Sequence, residues 1–412
     1  MRKTIVIFFA TGFFTNLAGA IEIADNLSVK GFATLGLTHS DNQRADFVAN
    51  RYFYPQGAGY NDNLTINVDS RAGVQIDWQA TPGVSLTGQL LSRQFASGDW
   101  IPQLEWAFAK VNIIPNADLR FGRIRPAIYL LSDYLDVNYA NPWIRPPIEF
   151  YSPAPMTRME GIDLLWRPTT GELSWLVQPY IGKTKIDLTS DTQLEVNKIR
   201  GINVTTTVKD FTFRGGYIET YLTANAPRFT AAFNGLSLIC ARGDNIACNQ
   251  IPLLIPENKK STFASLGLGW DNGQQFLSGE WGKRESDSSI ATTTSWYLSG
   301  GSRLGKWTPY LTYSQLMNNS PTIFTNGLTS LTNTIITALR LNNPMDQTTT
   351  TLGLRYDVAK NTALKVQWDH VNTHCQSISQ GTCGGLFVEQ QPGFSNSPQN
   401  ANLVSLAIDV VF

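Results

Sequence analysis

Histidine is the side chain best suited to acid–base catalysis near neutral pH, and this 412-residue chain has only three, His39, His370 and His374. His39 and His370 fall near the ends of predicted strands, where an active site at a rim would place its base. No spacing of serine, histidine and acid indicates a catalytic triad, however. The string HVNTHC sets two histidines beside Cys375 without the ligand spacing of a zinc site. We therefore expect no metal and no cofactor, and a hydrolase is kept only as an alternative.

The first twenty residues have the pattern of an export signal. Arg2 and Lys3 precede an apolar run from Ile5 to Phe14, and the small residues Ala-Gly-Ala follow at 18–20. We expect a secretory signal peptide over residues 1–20, whose apolar stretch is too short to span a bilayer as a helix. The other 392 residues carry 30 basic and 32 acidic side chains, about −2. This balance gives no reason to expect nucleic acid as a partner.

The four cysteines form two pairs, Cys240 with Cys248 and Cys375 with Cys383, and seven residues separate the members of each pair. An exported chain folds in an oxidising compartment, so we expect two local disulfides. Unpaired thiols in loops are the alternative.

The residues discussed above lie in a chain whose main pattern is the alternation of apolar and polar residues, which predicts β-strands. The segment NLTINVDSRAGVQIDWQA alternates, and its apolar residues share one face: Leu64, Ile66, Val68, Ala72, Val74, Ile76 and Trp78. Sixteen such strands are predicted: 27–39, 63–78, 84–96, 103–113, 119–126, 159–167, 173–184, 195–208, 211–223, 262–271, 275–285, 292–302, 307–316, 348–358, 362–373 and 402–412. Seven short turns alternate with eight longer loops, as in an even-numbered antiparallel barrel with both termini at one end.

These patterns predict an all-β, transmembrane antiparallel β-barrel of about sixteen strands, built from the single domain 21–412. A chain that closes so large a barrel around polar side chains encloses water, and its apolar face meets lipid. A soluble secreted β protein is the alternative. Aromatic residues near strand ends would form the two interfacial girdles: Trp78, Trp166, Trp175, Tyr217, Tyr221, Trp270, Trp281, Trp307, Tyr313 and Trp368.

Two segments resemble a known family. The terminal LVSLAIDVVF alternates up to Phe412, and GRIRPAIYLLSDYLDVNYANPWIRPP occupies the third long loop. Both resemble the sixteen-stranded trimeric porins of Gram-negative outer membranes. The resemblance implies passive diffusion of small hydrophilic solutes through a homotrimer in the outer membrane, in contact with lipid and lipopolysaccharide. It also implies that the loop 127–158 folds into the lumen, and that Phe412 is a signal read by the barrel-assembly machinery.

In such porins, acids on the inward loop face bases on the barrel wall. The short acidic constriction motif of the best-known general porins is not recognisable here. The resemblance implies opposition of Asp133, Asp136 and Glu149 to Arg71, Arg93, Arg123 and Arg125. Facing Arg120 to lipid near a turn costs less than facing two arginines to lipid higher up, so Arg123 and Arg125 are predicted to face water.

Several choices stay open from sequence. Arg145 and Arg158 could line a pore or form salt bridges within the loop. The nearly neutral charge and the visible acids argue against a strong preference for phosphate. The cysteine-bearing loops 224–261 and 374–401 would also suit a surface protein that acts in recognition or adhesion.

Overall fold

The computed structural model describes residues 21–50, 56–189, 191–254, 257–287, 290–319, 346–375 and 383–412. The predicted signal peptide therefore lies outside the described residues.

The described residues form sixteen long strands, each antiparallel to the next: β1 Leu27–Ser40, β2 Arg71–Thr81, β3 Val84–Arg93, β4 Gln103–Ile114, β5 Ala117–Ile124, β6 Met159–Trp166, β7 Leu173–Thr189, β8 Thr192–Val208, β9 Phe211–Asn225, β10 Lys259–Asp271, β11 Gln275–Ser286, β12 Thr293–Ser302, β13 Trp307–Asn318, β14 Gln347–Ala359, β15 Thr362–Thr373 and β16 Asn400–Val411. Strand β16 pairs with β1, from Leu403 opposite Ser40 to Val411 opposite Phe32. This last pairing closes the barrel and leaves no sheet edge. The predicted sixteen-stranded antiparallel fold is confirmed.

The two ends of the barrel differ in the length of the connections between strands. The end with the tight connections, such as 82–83, 115–116, 209–210 and 360–361, is called the turn end. The opposite end, called the loop end, carries the long connections and two helices, α2 Pro227–Ala241 and α3 Asn245–Leu254. Loop 125–158 contains two 3-10 turns, Ser132–Tyr134 and Asn138–Ala140, and one short α-helix, α1 Ile148–Tyr151. Among the helices in the described ranges, none is long and apolar enough to cross a bilayer.

Side chains alternate between an exposed apolar face and a buried polar face. On β14, Leu352 is 49% exposed, whereas its neighbour Thr351 is buried. On β16, Leu406 is 49% exposed and Ser405 is fully buried. Successive strand residues point to opposite faces, so apolar residues cover the outside of the closed barrel. The inside is polar except where buried strand residues such as Phe263, Tyr297 and Tyr310 pack against loop 125–158. Seven of the ten predicted girdle aromatics are exposed and none is buried: the exposed ones are Trp78, Trp166, Tyr217, Trp281, Trp307, Tyr313 and Trp368.

The predicted strand 63–78 is wrong in its first half. Leu64–Thr65 forms a short separate strand beside β1, and β2 begins only at Arg71. Between them the chain turns, with the Ser70 amide donating to the Ile66 carbonyl. The turn buries Val68, which was predicted to lie on the exposed face.

Loop 125–158 packs against the buried sides of the strands through aromatic contacts. Tyr129 lies 4.8 Å from Tyr151 between ring centroids, and Phe150 lies 5.6 Å from Tyr297 on β12. The indole of Trp143 donates to Thr312 on β13 at 2.9 Å. The proline and aromatic content of this loop, unusual for an exposed connection, is thus accounted for by burial.

Candidate functional site

Charged side chains of loop 125–158 and of the barrel wall meet at Asp136. One carboxylate oxygen of Asp136 lies 2.5 Å from Arg125, and the other lies 3.7 Å from both Arg71 and Arg93. Arg71 begins β2, Arg93 ends β3 and Arg125 follows β5, so three strand ends deliver the three guanidinium groups. Burial would raise the pKa of Asp136, but the three arginines hold it well below its usual range. Asp136 is therefore a buried carboxylate ion held by cations.

The cluster extends to a second carboxylate. Glu105 on β4 lies 3.2 Å from Arg158 and 3.9 Å from Arg125, and its side chain is fully buried. The guanidinium of Arg125 also lies over the ring of Trp106, 5.8 Å from the centroid. We call Arg71, Arg93, Arg125, Arg158, Glu105 and Asp136 the ion-pair cluster. Arg158, left open by the sequence, belongs to it.

Arg123 does not join this cluster, contrary to the sequence prediction. It pairs with Glu160 at 2.5 Å, on the same outer face as the exposed Phe121. Arg120, predicted to face lipid, points inward and binds Asp163 on β6, a side chain with no exposure. The prediction weighed the cost of a lone arginine in lipid, but neither arginine is alone: Asp163 on the adjacent strand pairs with Arg120 inside, and Glu160 on the same strand pairs with Arg123 outside.

The other two predicted acids lie apart from the ion-pair cluster. Asp133 is exposed and lines a cavity at the turn end. Glu149 in α1 is fully buried and accepts hydrogen bonds from Ser314 and Gln347 at 2.7 Å and from Thr349 at 2.5 Å. Burial raises the pKa of Glu149 despite these donors. Glu149 thus faces neutral partners on β13 and β14, not an arginine.

Arg145 is the buried loop residue whose role sequence reasoning left open. Its guanidinium donates to both oxygens of Asp69 at 2.8 and 2.6 Å, to Asp369 on β15 at 2.6 Å and to Ser405 on β16 at 2.5 Å. Burial disfavours the charge, but Asp69 and Asp369 raise the pKa of Arg145. Arg145 therefore joins loop 125–158 to the wall and to loop 41–70. No local sequence signal marks this role, because its partners lie 76 to 260 residues away.

Among the residues that the structure describes, cavities flank loop 125–158 at both ends of the barrel. One of about 320 Å³ opens at the loop end beside Arg93, Gln103 and Lys185. Two open at the turn end: one of about 380 Å³ beside Gln89 and Asp133, and one of about 530 Å³ lined by aromatic and charged residues. By contrast, only about 20 Å³ remains where Trp143–Glu149 packs on the wall. Space for solutes thus lies beside the loop.

The remaining candidate residues have simple environments. Disulfides join Cys240 to Cys248 and Cys375 to Cys383. His370 contacts Asn402 at 2.9 Å and His374 contacts Thr348 at 3.1 Å, both neutral side chains. Phe412 pairs through its backbone with Gly31 on β1, where a Cβ would meet the Phe412 ring.

Comparison with known proteins identifies the fold. No protein-family model matches the sequence, and no curated protein matches it. The anion-selective porin from Comamonas acidovorans matches in structure with a TM-score of 0.55 at 14% identity, over 94% of this chain and 99% of that one. The outer membrane channel DcaP of Acinetobacter baumannii matches at 0.56 and 9% identity, over 94% and 98% of the two chains. OmpF of Salmonella typhi matches at 0.54 and 13%, over 96% and 100%.

These identities are low, so the likeness concerns the fold alone. The chain has the fold of the Gram-negative outer-membrane porins, a closed sixteen-stranded antiparallel barrel.

Proposed function

We propose that this protein is an outer-membrane channel through which small hydrophilic solutes diffuse passively. The observation that carries the proposal is the alternation around the closed barrel: apolar side chains are exposed outside, and polar side chains line the inside wherever loop 125–158 does not pack on it. Such a wall fits a surrounding of lipid and an interior that holds water. The turn end would face the periplasm and the loop end the exterior. The fold shared with solved porins supports the same assignment.

Loop 125–158 is proposed as the constriction of this channel. Its contacts reach β2 and β3 through Asp136, and they reach β9 and β11 through the Ala127 carbonyl and the Leu130 amide, so the loop crosses from one side of the barrel to the other. The cavities beside it would be the wider parts of the passage. Because the loop is hydrogen-bonded on both sides, we expect a narrow channel with low conductance. Of the seven predicted constriction residues, Arg123 is no longer proposed, because it lies on the outer face.

The proposal includes export by residues 1–20 and residence in the outer membrane, in contact with lipopolysaccharide. It also includes assembly through the Phe412 signal and a homotrimeric state. The solved structures include a trimer form of OmpT from Vibrio cholerae, which supports the last point by likeness of fold. No cofactor and no energy source is required, since diffusion follows the gradient of the solute.

Reconstitution separates the channel from the alternatives. The mature chain is purified in detergent, inserted into planar bilayers and into liposomes, and assayed for single-channel conductance and for uptake of arabinose. Stepwise conductance together with sugar uptake supports the proposal. Membranes that stay impermeable, with hydrolysis of a peptide or phospholipid substrate, would support an enzyme. Impermeable membranes without hydrolysis would favour a recognition role for the disulfide-bearing loops.

A further inference from the structure

The turn-end cavity of about 530 Å³ lies between loop 125–158 and the ends of strands β9 to β14. We call it the aromatic pocket. Its lining combines aromatic rings with charged side chains, among them Tyr134, Tyr139, Phe276, Asp271, Arg303 and Arg355. Its volume lies within the range of small-molecule binding sites, about 300–1,000 Å³, and such sites have this kind of mixed lining.

The aromatic pocket is closed at its inner end, because loop 125–158 is hydrogen-bonded to four of the strands there. The bonds join Arg214 to the Ala127 carbonyl, Ser265 to the Ile128 carbonyl, Glu280 to the Leu130 amide and Thr312 to the Trp143 indole, at 2.6 to 3.3 Å. Beyond Trp143, only about 20 Å³ remains between loop and wall. The pocket therefore widens the passage at the turn end but does not continue along these strands towards the loop end.

Two arginines of the lining are held in the same way, each by an aromatic ring and a carboxylate. Arg303 lies over Phe276, 5.3 Å from the ring centroid, and donates to both oxygens of Asp271 at 2.7 Å. Arg355 lies over Tyr139, 4.7 Å from the centroid, and donates at 2.8 Å to the carboxylate two residues further along β14. These contacts fix the direction of the guanidinium groups and satisfy their charge.

The pairing of these charges decides which kind of solute the pocket suits. A bound anion would compete with the carboxylate of each pair, and a bound cation would compete with the arginine. A hydroxyl group can accept from a remaining guanidinium N–H and donate to a remaining carboxylate lone pair, and it leaves the ion pair intact. An apolar C–H face can pack on the ring of Tyr134, which is 37% exposed. Sugar rings offer both features, hydroxyls at the edge and apolar C–H groups on the face.

We propose that the aromatic pocket binds a neutral sugar of one or two rings, which enters from the turn end. Its hydroxyls bond to the Arg303–Asp271 and Arg355–Asp357 pairs, and one ring face packs on Tyr134. Binding itself does not depend on the channel function proposed above, and only the assignment of the turn end to the periplasm rests on it. Because the pocket is closed at its inner end, it holds the sugar at the periplasmic mouth.

The first test is titration calorimetry of the mature chain in detergent, with maltose as the probe. Maltose should bind more tightly than maltose 1-phosphate and more tightly than the dimer of glucosamine, which carry negative and positive charge on similar rings. Arg303→Gln should weaken maltose binding at least about tenfold, because it removes a charged hydrogen-bond donor. Tyr134→Leu should weaken binding more than Tyr134→Phe, which keeps the ring face. The matched control is Arg167→Gln, which breaks an exposed pair of the same 2.7 Å length outside the pocket and should bind maltose as wild type does.

The second test locates the site by protection of a cysteine. All four native cysteines are joined in disulfides, so an introduced cysteine is the thiol that reacts with N-ethylmaleimide. Ser278→Cys places a thiol in the aromatic pocket, and Ser97→Cys places one in the loop-end cavity. Maltose should slow the reaction of Ser278→Cys several-fold and leave the reaction of Ser97→Cys unchanged.

The proposal is overturned if maltose does not bind, if either charged disaccharide binds more tightly, or if maltose protects both cysteines equally. It is also overturned if Arg303→Gln and Tyr134→Leu bind maltose as wild type does. These results leave the channel function standing when bilayers show conductance. Absence of conductance would instead overturn the channel function and leave the binding site to the tests above. Should Arg303→Gln fail to fold, the Tyr134 variants and the cysteine protection decide the matter.

Discussion

Replacement of Arg145 by glutamine tests whether loop 125–158 is fixed to the wall by a buried ion network. Arg145 forms a two-point bond with Asp69 and a third with Asp369, all with donor–acceptor distances of 2.6 to 2.8 Å. Glutamine leaves both carboxylates buried without their cation. Removing one partner of a buried ion pair costs about 3–5 kcal/mol. Because the two remaining carboxylates also repel each other, we expect the free energy of unfolding to fall by an amount near the upper end of that range.

The measurement is the free energy of unfolding in urea, followed by tryptophan fluorescence in lipid vesicles, together with single-channel conductance. Arg145→Gln should lower the free energy by about 3–5 kcal/mol and raise conductance, because the freed loop no longer narrows the passage. The control is Arg167→Gln, which breaks a pair of similar length, 2.7 Å from Asp118, but with the arginine side chain 46% exposed. An exposed pair contributes about 0–1 kcal/mol.

A double-mutant cycle sharpens the same prediction. In Arg145→Gln with Asp69→Asn, one of the two unpaired carboxylates is neutralised, so the double variant should be more stable than Arg145→Gln alone. Two results would refute the account of Arg145 as a buried ionic anchor. One is that Arg145→Gln and Arg167→Gln lower the free energy of unfolding by the same amount. The other is that Asp69→Asn lowers it as much in the Arg145→Gln background as it does in wild type.

Three further outcomes are expected. Because burial raises the pKa of Glu149 above its usual 4.5, its stabilising effect is complete at low pH and is lost as the pH rises through the folded-state pKa. The stability of wild type minus that of Glu149→Gln should therefore fall as the pH rises above the usual value of 4.5, and a rising difference would contradict the shift. Serine at all four cysteines should leave conductance unchanged but speed proteolysis of loops 226–258 and 374–399, and a lost conductance would show that these loops shape the channel. Leu352→Arg, in the middle of the outer face of β14, should cost about 2–4 kcal/mol, and Val358→Arg near the turn end of the same strand about 0–1; equal costs would show that lipid does not surround this wall.

The sequence by itself determined the number of strands and most of their bounds. Alternation of apolar and polar residues is a local property, and the turn residues between strands are local too. The one clear failure, the first half of the predicted strand 63–78, comes from a tight turn at residues 66–70 that keeps the apolar alternation while it breaks the strand.

The directions of individual charged side chains were less predictable. Arg123 and Arg125 are two residues apart, so alternation places them on the same face. The structure separates them, because β5 ends at Ile124 and Arg125 already belongs to the loop. Arg123 lies within β5 and keeps the alternation, so it shares the outer face with Phe121 and pairs there with Glu160. Arg125 lies beyond the strand, where alternation no longer applies, and Asp136 holds it inside.

Only the tertiary structure decided which charges meet. Sequence analysis identified most of the charged residues of the ion-pair cluster as candidates, and it singled out Arg145 without assigning its role. The family resemblance set three acids against four arginines, but the sequence could not show that Asp136 alone of the three meets Arg71, Arg93 and Arg125, or that Arg145 pairs with Asp69 and Asp369. These contacts join residues far apart in the chain, and they exist because the closed barrel brings its strand ends around one buried loop. Burial then removes the water that would otherwise separate the charges, so geometry set by the whole fold fixes each ion pair.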